Sequence, residues 1–387
     1  MNNIALEKKT ILFLFPGPVY RPDLPDFQEC FDGLSTWYDG LILTRTWEAQ
    51  FEDISFLTFK FKALSKVPAG FFGRIKMMIF FMKEALGFNK LKKINVIVCY
   101  EPMFTGVIGA LLKLFLHSPL IVEVNSEHYA GAIHAFYGRG IFQNLKALIL
   151  MCLSNFSLFA ADGIKVLTEK AKENLPDRFK NKEIFVFHGF VPTQYFNEGD
   201  KTEERYILFV GYPFYLKGVD ILINAFKKIS DKFPDVRLRL IGHQIEEDAR
   251  KNFLKLEKID FYPGLYYDQL KTHFLHCYCF VLPSRTEGMG RVLIEAMAAG
   301  KAVIGSKVGG IPDVIEDKRN GFLFEAGDEN DLAQKLEELF LDPELARRMG
   351  REGLAILQSR FSSNKYFEYF CGMIEEVIKK QGLENGI

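Results

Sequence analysis

The chain reads as an α/β protein built from two doubly wound parallel sheets. Three observations predict that class. Short apolar runs alternate with helix-period segments along nearly the whole sequence, which is the pattern of strand–helix–strand crossovers. The length, 387 residues, suits two domains of ordinary size. A polar stretch of mixed charge, residues 197–205, divides the series in two and reads as a linker.

In the first half the expected strands are Ile11–Phe15, Ile54–Phe59, Val96–Cys99, Leu120–Val124, Ile164–Leu167 and Ile184–Phe187. Helical period marks Gly73–Leu86, Thr105–Leu116, Ile141–Ala160 and Glu169–Leu175. The second half begins with a strand at Tyr206–Val210, followed by Val236–Ile241, Ile259–Tyr262, Tyr278–Leu282 and Ala302–Gly305. Helices are expected between them at Val219–Asp231, Glu246–Leu256 and Tyr267–Leu275. Beyond Gly321 the sequence reads as mostly helical: Asp331–Phe340, Pro343–Gln358 and Ser363–Lys380. The expected domains are residues 1–196 and 204–362, with residues 363–387 as a closing helix. Two such halves predict a ligand cleft at the carboxyl ends of the strands.

Composition narrows the function classes. Formal charge is zero, so no global field favours nucleic acid. The 38 phenylalanines predict an aromatic-rich core. Six scattered cysteines include no Cys-x-x-Cys pair and no histidine pairing with zinc spacing, so no metal site is expected. Lys8 and Lys9 precede only a short apolar run ending at Pro16, which does not read as a signal peptide. No uncharged apolar stretch reaches a membrane span, since the longest, Ala147–Ala161, contains Ser154 and Asn155. A reduced, cytoplasmic setting is expected.

Residues 283–300 are the most informative stretch. The strand ending at Leu282 runs into Pro283-Ser284, then a turn, Glu287-Gly288-Met289-Gly290, then a helix from Arg291 stopped by Gly300. That order puts free backbone N–H groups at a helix start, which is an anion site. Two carboxylates bracket it, Glu287 in the turn and Glu295 about two helical turns further on. A ligand with hydroxyls on both sides of a phosphate group suits that layout.

This Glu-x7-Glu spacing behind Pro-Ser, closed by Glu-Ala-Met-Ala-Ala-Gly, resembles the donor-site signature of retaining GT-B glycosyltransferases, the family-4-like group also described as glycosyl transferases group 1. The resemblance implies two Rossmann-like domains facing across a cleft, with the last helix crossing back to the first domain. It implies that Glu287 contacts hydroxyls of the donor sugar and Glu295 the ribose hydroxyls. Backbone amides of Gly288, Met289, Gly290, Arg291 and Val292 would hold the diphosphate.

The second half opens with Gly211-Tyr212-Pro213-Phe214-Tyr215-Leu216-Lys217-Gly218, a glycine turn with a lysine just before a helix. A lysine there places a point charge on a phosphate. The stretch is similar to the family's Gly-Arg…Lys-Gly element: Gly211, Lys217 and Gly218 match, and Tyr212 stands where the family has arginine. Loss of that cation weakens phosphate binding by about 1–3 kcal/mol unless another base substitutes. Arg291 is the candidate substitute. Val308-Gly309-Gly310-Ile311-Pro312 also matches the family, as a donor-site element or as backbone packing. Asn320-Gly321 and Gly327-Asp328 match its structural turns.

The resemblance is carried by residues 205–360 and is architectural over 1–195. Candidates in the first half are therefore placed by position. Gly17 follows the first strand, and Glu101 follows Val96–Cys99 as either an acceptor-side acid or a helix-start acid. Asn125 stands where relatives carry histidine, with His128 three residues on, a catalytic candidate or a solvated loop residue. His188-Gly189 replaces the family's Asn-Gly, so His188 is an acceptor-side candidate. Residues 60–93 carry nine bases and one acid, Glu84, interleaved with bulky apolar residues. They read equally as a helix lying on an anionic membrane surface or as a core helix with solvated lysines.

The implied reaction is transfer of a sugar, with retention, from a nucleotide-diphosphate sugar to a glycan or lipid-linked hydroxyl. Glu287, Lys217 and His128 are the catalytic candidates. No Asp-x-Asp motif appears, so no metal or other cofactor is expected. Two rival readings are a nucleotide-sugar epimerase on the same architecture and a catalytically silent binding subunit. Isomerisation of the donor by the protein alone marks the first, and poor nucleotide binding marks the second.

Overall fold

The computed structural model describes residues 8–17, 21–68, 70–125, 141–197, 199, 202–253 and 257–384. The chain divides into two compact units. The first comprises Met1–Leu167, Lys172–Phe187 and Phe367–Ile387, the second Thr168–Ala171 and His188–Tyr366.

Among the described residues the first unit holds eight strands: β1 (Lys9–Leu14), β2 (Tyr38–Arg45), β3 (Asp53–Phe56), β4 (Phe59–Leu64), β5 (Val96–Cys99), β6 (Leu120–Val124), β7 (Gly163–Val166) and β8 (Glu183–Val186). They lie in the order β3-β4-β2-β1-β5-β6-β7-β8. Every pair is parallel except the β3–β4 hairpin at one edge. The sequence reads Ile54–Phe59 as one strand, but the chain reverses there, with Leu57 at φ 50° in the turn. Two elements carry no clear sequence signal, β2 and the helix Pro25–Leu34. Gly40 in β2 lies against β1 so closely that a Cβ there would meet the Ile11 carbonyl oxygen at 1.9 Å.

Phe13 centres the aromatic core of this unit. Its ring sits 5.3 Å from Phe31, 6.0 Å from Phe59 and 6.0 Å from Phe370. Phe370 comes from the last helix, Ser363–Glu384, most of which belongs to this unit. Gly33 leaves the space that Phe367 fills, since a Cβ there would meet the ring at 2.0 Å. Between β6 and β7 a charged pair is fully buried. Glu123 and Lys165 stand opposite each other in the ladder, 3.0 Å apart, and the ammonium also lies 4.6 Å from the Phe187 ring centre.

The second unit is a six-stranded parallel sheet: β9 (Tyr206–Val210), β10 (Arg237–Ile241), β11 (Ile259–Tyr262), β12 (Cys279–Leu282), β13 (Ala302–Ser306) and β14 (Gly321–Phe324). Its order is β11-β10-β9-β12-β13-β14. β12 and β13 are buried along their whole length, which explains their unbroken apolar runs. Beyond Gly321 the chain is mostly helical, as expected, but one further strand comes first: Gly-Phe-Leu-Phe of β14 pairs with β13 before the helices begin. Gly321 is required there, because a Cβ would meet the Val303 carbonyl oxygen at 2.0 Å. In this order the chain changes direction between β9 and β12. Ligands of doubly wound sheets bind in the crevice at the carboxyl ends of such a strand pair.

Candidate functional site

The loops after β9 and β12 meet at that switch point. After β9, Gly211 donates its N–H to the Ile241 carbonyl, and Gly242 leaves no room for a Cβ beside the Gly211 oxygen. The loop then folds on itself, with the Lys217 N–H on the Pro213 carbonyl and the Gly218 N–H on that of Tyr215. Gly218 starts the helix Val219–Ile229 at φ 66°, with its Cα hydrogens against the Pro283 carbonyl, where a Cβ would sit at 1.9 Å. That close approach brings the lysine loop onto the Pro283-Ser284 turn.

Lys217 and Glu287 form the centre of the site. The Lys217 ammonium lies 2.7 Å from Glu287 Oε2, which also accepts from the Ser284 hydroxyl at 3.2 Å. Glu287 Oε1 accepts from the Gly288 N–H at 3.2 Å. The carboxylate is only 12% exposed, so these donors fix its orientation. Ser284 is held in turn, its carbonyl accepting from the Ser306 hydroxyl at 2.6 Å. The glycine turn packs on the next loop: Gly310 donates to the Gly288 carbonyl at 2.9 Å, and a Cβ at 310 would collide with that oxygen. This contact gives Gly310 a packing role. Met289 is buried, and Gly290, at φ 80°, starts the helix Arg291–Ala298. The start of that helix directs the positive end of its dipole towards the glycine turn.

Glu295 is 4% exposed, and its Oε1 accepts from Arg291 Nε at 3.2 Å. The Arg291 guanidinium also donates to the Tyr267 hydroxyl. Arg291, the candidate substitute for the missing arginine, is thus engaged along its own helix. Tyr212, at the arginine position, is half exposed, with its ring 5.6 Å from that of His243.

Arg285 escaped the sequence reading. Its guanidinium makes two parallel bonds of 2.7 Å to the Asp220 carboxylate, donates to the Tyr215 carbonyl and lies over the Tyr215 ring. Its backbone N–H donates to the Leu216 carbonyl. Side chain and main chain of one residue therefore hold the two positions just before Lys217. Arg285 lies inside the Pro-Ser-x-x segment, but Asp220 is 65 residues away and nothing local pairs them.

In the first unit Gly17 and Glu101 follow β1 and β5, the strands flanking the switch point of that sheet. Gly17 has open space where a Cβ would point, and its carbonyl accepts from the Thr44 hydroxyl at 2.8 Å. Glu101 is a helix-start acid. Its carboxylate accepts the N–H groups of Met103, Phe104 and Thr105 at the head of the helix Phe104–Leu116, and burial raises its pKa above the usual carboxyl value. Asn125 donates to the Tyr100 carbonyl at 2.8 Å and ties the end of β6 to that of β5. His128 lies outside the described residues. His188 is a packed residue of the second unit, 4% exposed, with its ring 5.4 Å from Phe361 and Nδ1 on the Gly189 carbonyl.

Comparison with known proteins gives this geometry a class. The chain is similar to sucrose-phosphate synthase from Thermosynechococcus elongatus, with a TM-score of 0.75, 18% identity and 98% of each chain covered. It is also similar to Anabaena HepE in complex with UDP-glucose, with a TM-score of 0.68, 16% identity, and 96% and 98% coverage. The fold is that of the GT-B glycosyltransferases. Residues 190–355 match the model of glycosyl transferases group 1. A protein of Methanocaldococcus jannaschii described as an uncharacterised glycosyltransferase is 32% identical over 248 residues, which span 64% of this chain and 66% of that protein. Residues 190–355 thus form a domain of the group 1 glycosyl transferases.

Proposed function

We propose that the protein is a retaining glycosyltransferase that moves a sugar from a UDP- or GDP-sugar to an acceptor hydroxyl. The Lys217–Glu287 pair, held at a switch point beside a glycine turn and a helix start, carries the reading. The bond from the anomeric carbon to the diphosphate breaks as the acceptor oxygen bonds on the same face. The acceptor proton passes to the departing diphosphate oxygen. Lys217 and the amides from Gly288 to Val292 stabilise the departing charge, and Glu287 orients the sugar. These groups supply the countercharge without calling on a divalent cation. The UDP-glucose carried by the HepE neighbour supports a nucleotide-sugar donor.

The acceptor is a glycan or glycolipid of a polysaccharide, lipopolysaccharide or glycolipid pathway. The setting is the cytoplasmic face of the cell membrane, with residues 60–93 against anionic lipid. Among the described residues no helix is long and apolar enough to cross a membrane, so contact at the surface is the mode proposed.

Calorimetric binding of UDP, GDP and ADP, without metal, tests the donor site. One nucleotide is expected to bind, and Glu295→Ala to weaken it about tenfold or more through loss of ribose contacts. Unchanged affinity in that variant removes the ribose role. No binding by any nucleotide favours the silent-subunit reading, in which Tyr212 has cost the phosphate site. Donor isomerisation without acceptor would favour the epimerase.

Arg285 acts on the same site by positioning Lys217. Arg285→Ala is expected to lower kcat about tenfold. Arg285→Lys should recover little of it, because an ammonium cannot make the two parallel bonds to Asp220. Steady-state kinetics and thermal melts of both variants check this. A loss of stability with unchanged kcat would reduce Arg285 to a structural residue.

A further inference from the structure

In the first unit three helices lie side by side: Phe71–Leu91 packs on Phe104–Leu116, which packs on Ile141–Ala160. Their inner sides are ordinary core, with Met77, Phe81, Ile108, Leu112, Ala147 and Leu158 buried. Their outer sides are not ordinary surface. The helix Ile141–Ala160 turns Leu145, Leu148, Ile149, Phe156 and Phe159 to solvent, each about half exposed. Their spacing, three, one, seven and three residues, keeps them on one stripe of an α-helix. The middle helix adds Leu114 and Phe115, and the first adds Phe72, 79% exposed, and Ile79. Exposed apolar residues gathered on three helices that pack side by side mark a docking surface.

Charge selects the occupant. Exposed bases accompany the apolar residues: Arg74, Lys76, Lys83 and Lys90 on the first helix and Lys146 on the third. The three helices contain a single carboxylate, Glu84, and it is bonded to Lys62. A second copy of this face would set bases against bases, whereas an anionic bilayer accepts both components.

We propose that the outer face of these three helices docks on an anionic lipid bilayer, with the stripe of Ile141–Ala160 entering the headgroup–acyl boundary and the bases of Phe71–Leu91 meeting lipid phosphates. This extends the membrane contact proposed above from residues 60–93 to a continuous helical layer, and it rests on that reading only for what the acceptor is. It also settles which part of the first helix faces outward. Phe72, Lys76, Ile79 and Lys83 form the exposed row, while Met77, Phe81 and Ala85 point inward.

Flotation of the full chain with vesicles tests the proposal, using phosphatidylglycerol–phosphatidylcholine against pure phosphatidylcholine. Binding to the anionic vesicles is expected at least tenfold more strongly, and weaker in high salt. Leu148→Glu/Ile149→Glu is expected to abolish flotation, and Lys76→Glu/Lys83→Glu to reduce it about tenfold. Both variants should retain wild-type melting and UDP affinity. Equal binding of the Leu148→Glu/Ile149→Glu variant overturns the proposal, as does absence of wild-type flotation. A wild-type dimer that this variant converts to monomer, with neither form floating, assigns the face to a second copy instead. UDP calorimetry on the same samples reports the donor site independently, so failure of the transferase reading leaves the vesicle result interpretable.

Discussion

Glu287→Ala is expected to lower sugar transfer by about two to three orders of magnitude while the protein stays folded. Three donors converge on this carboxylate: the Lys217 ammonium, the Ser284 hydroxyl and the Gly288 N–H. In the proposed reaction it fixes the sugar relative to the departing diphosphate, so its loss acts on the transition state. The cost to stability should be small, about 1 kcal/mol or less, because Lys217 is partly solvated and can be hydrated when its partner is removed. Glu287→Gln separates charge from shape. It keeps an oxygen for the Gly288 N–H but gives up the ion pair, and its activity should fall between wild type and Glu287→Ala. Lys217→Ala combined with Glu287→Ala should be non-additive by about 0.5–3 kcal/mol, since the two side chains touch. Initial rates with donor and acceptor at saturation, alongside thermal melts, make the measurement. Wild-type turnover by Glu287→Ala would remove Glu287 from the catalytic machinery.

Gly218→Ala is expected to be the most damaging single methyl group that can be added to this site. Two separate costs apply. The residue sits at φ 66°, where an L side chain is strained, and its Cβ would lie 1.9 Å from the carbonyl oxygen of Pro283. That obstacle is backbone and cannot rotate away. A destabilisation of at least about 3 kcal/mol is expected, with loss of nucleotide binding as the lysine loop is pushed off the Pro283-Ser284 turn. Two controls divide the effect. Gly327 has φ 87° with open space around it, so Gly327→Ala carries only the conformational cost, about 1 kcal/mol. Gly264 is exposed and open and has no positive φ, so Gly264→Ala should be near neutral. Urea unfolding of the three variants gives the comparison, and a Gly218→Ala cost no larger than that of Gly327→Ala would dismiss the close approach as a constraint.

Much of the fold is legible because the parallel strands are buried on both faces. Val96–Cys99, Leu120–Val124 and Tyr206–Val210 stand out as apolar runs and are strands over those same residues. β2 is hidden because only Leu41-Ile42-Leu43 is a strongly apolar core within Tyr-Asp-Gly-Leu-Ile-Leu-Thr-Arg. The helix Pro25–Leu34 mixes two aspartates, a glutamate and a glycine with its four buried residues and resembles a loop. The β3–β4 reversal has no glycine or proline at its tip, so Leu57 and Thr58 give no warning of a turn. At the site, residues that act through local backbone are readable: the glycine turn, the helix start and Lys217 before its helix. Residues that act through distant partners are not. Arg285 with Asp220 and Arg291 with Tyr267 become pairs only when β9 and β12 lie side by side and the helix Tyr267–His276 packs nearby.

The buried Glu123–Lys165 pair works as a registration key for the first sheet. β6 and β7 are short and apolar, and hydrophobic pattern alone distinguishes poorly between neighbouring alignments of two such strands. Sliding one strand by a single residue turns one of the two charges to the opposite face of the sheet. Sliding it by two leaves both inside without each other, at a cost of several kcal/mol for each ion. Only the native alignment places carboxylate and ammonium 3.0 Å apart. The same alignment fixes how far the carboxyl end of β6 projects, and hence where Asn125 can reach the Tyr100 carbonyl. A buried ion pair thereby sets the level at which β6 ends beside β5.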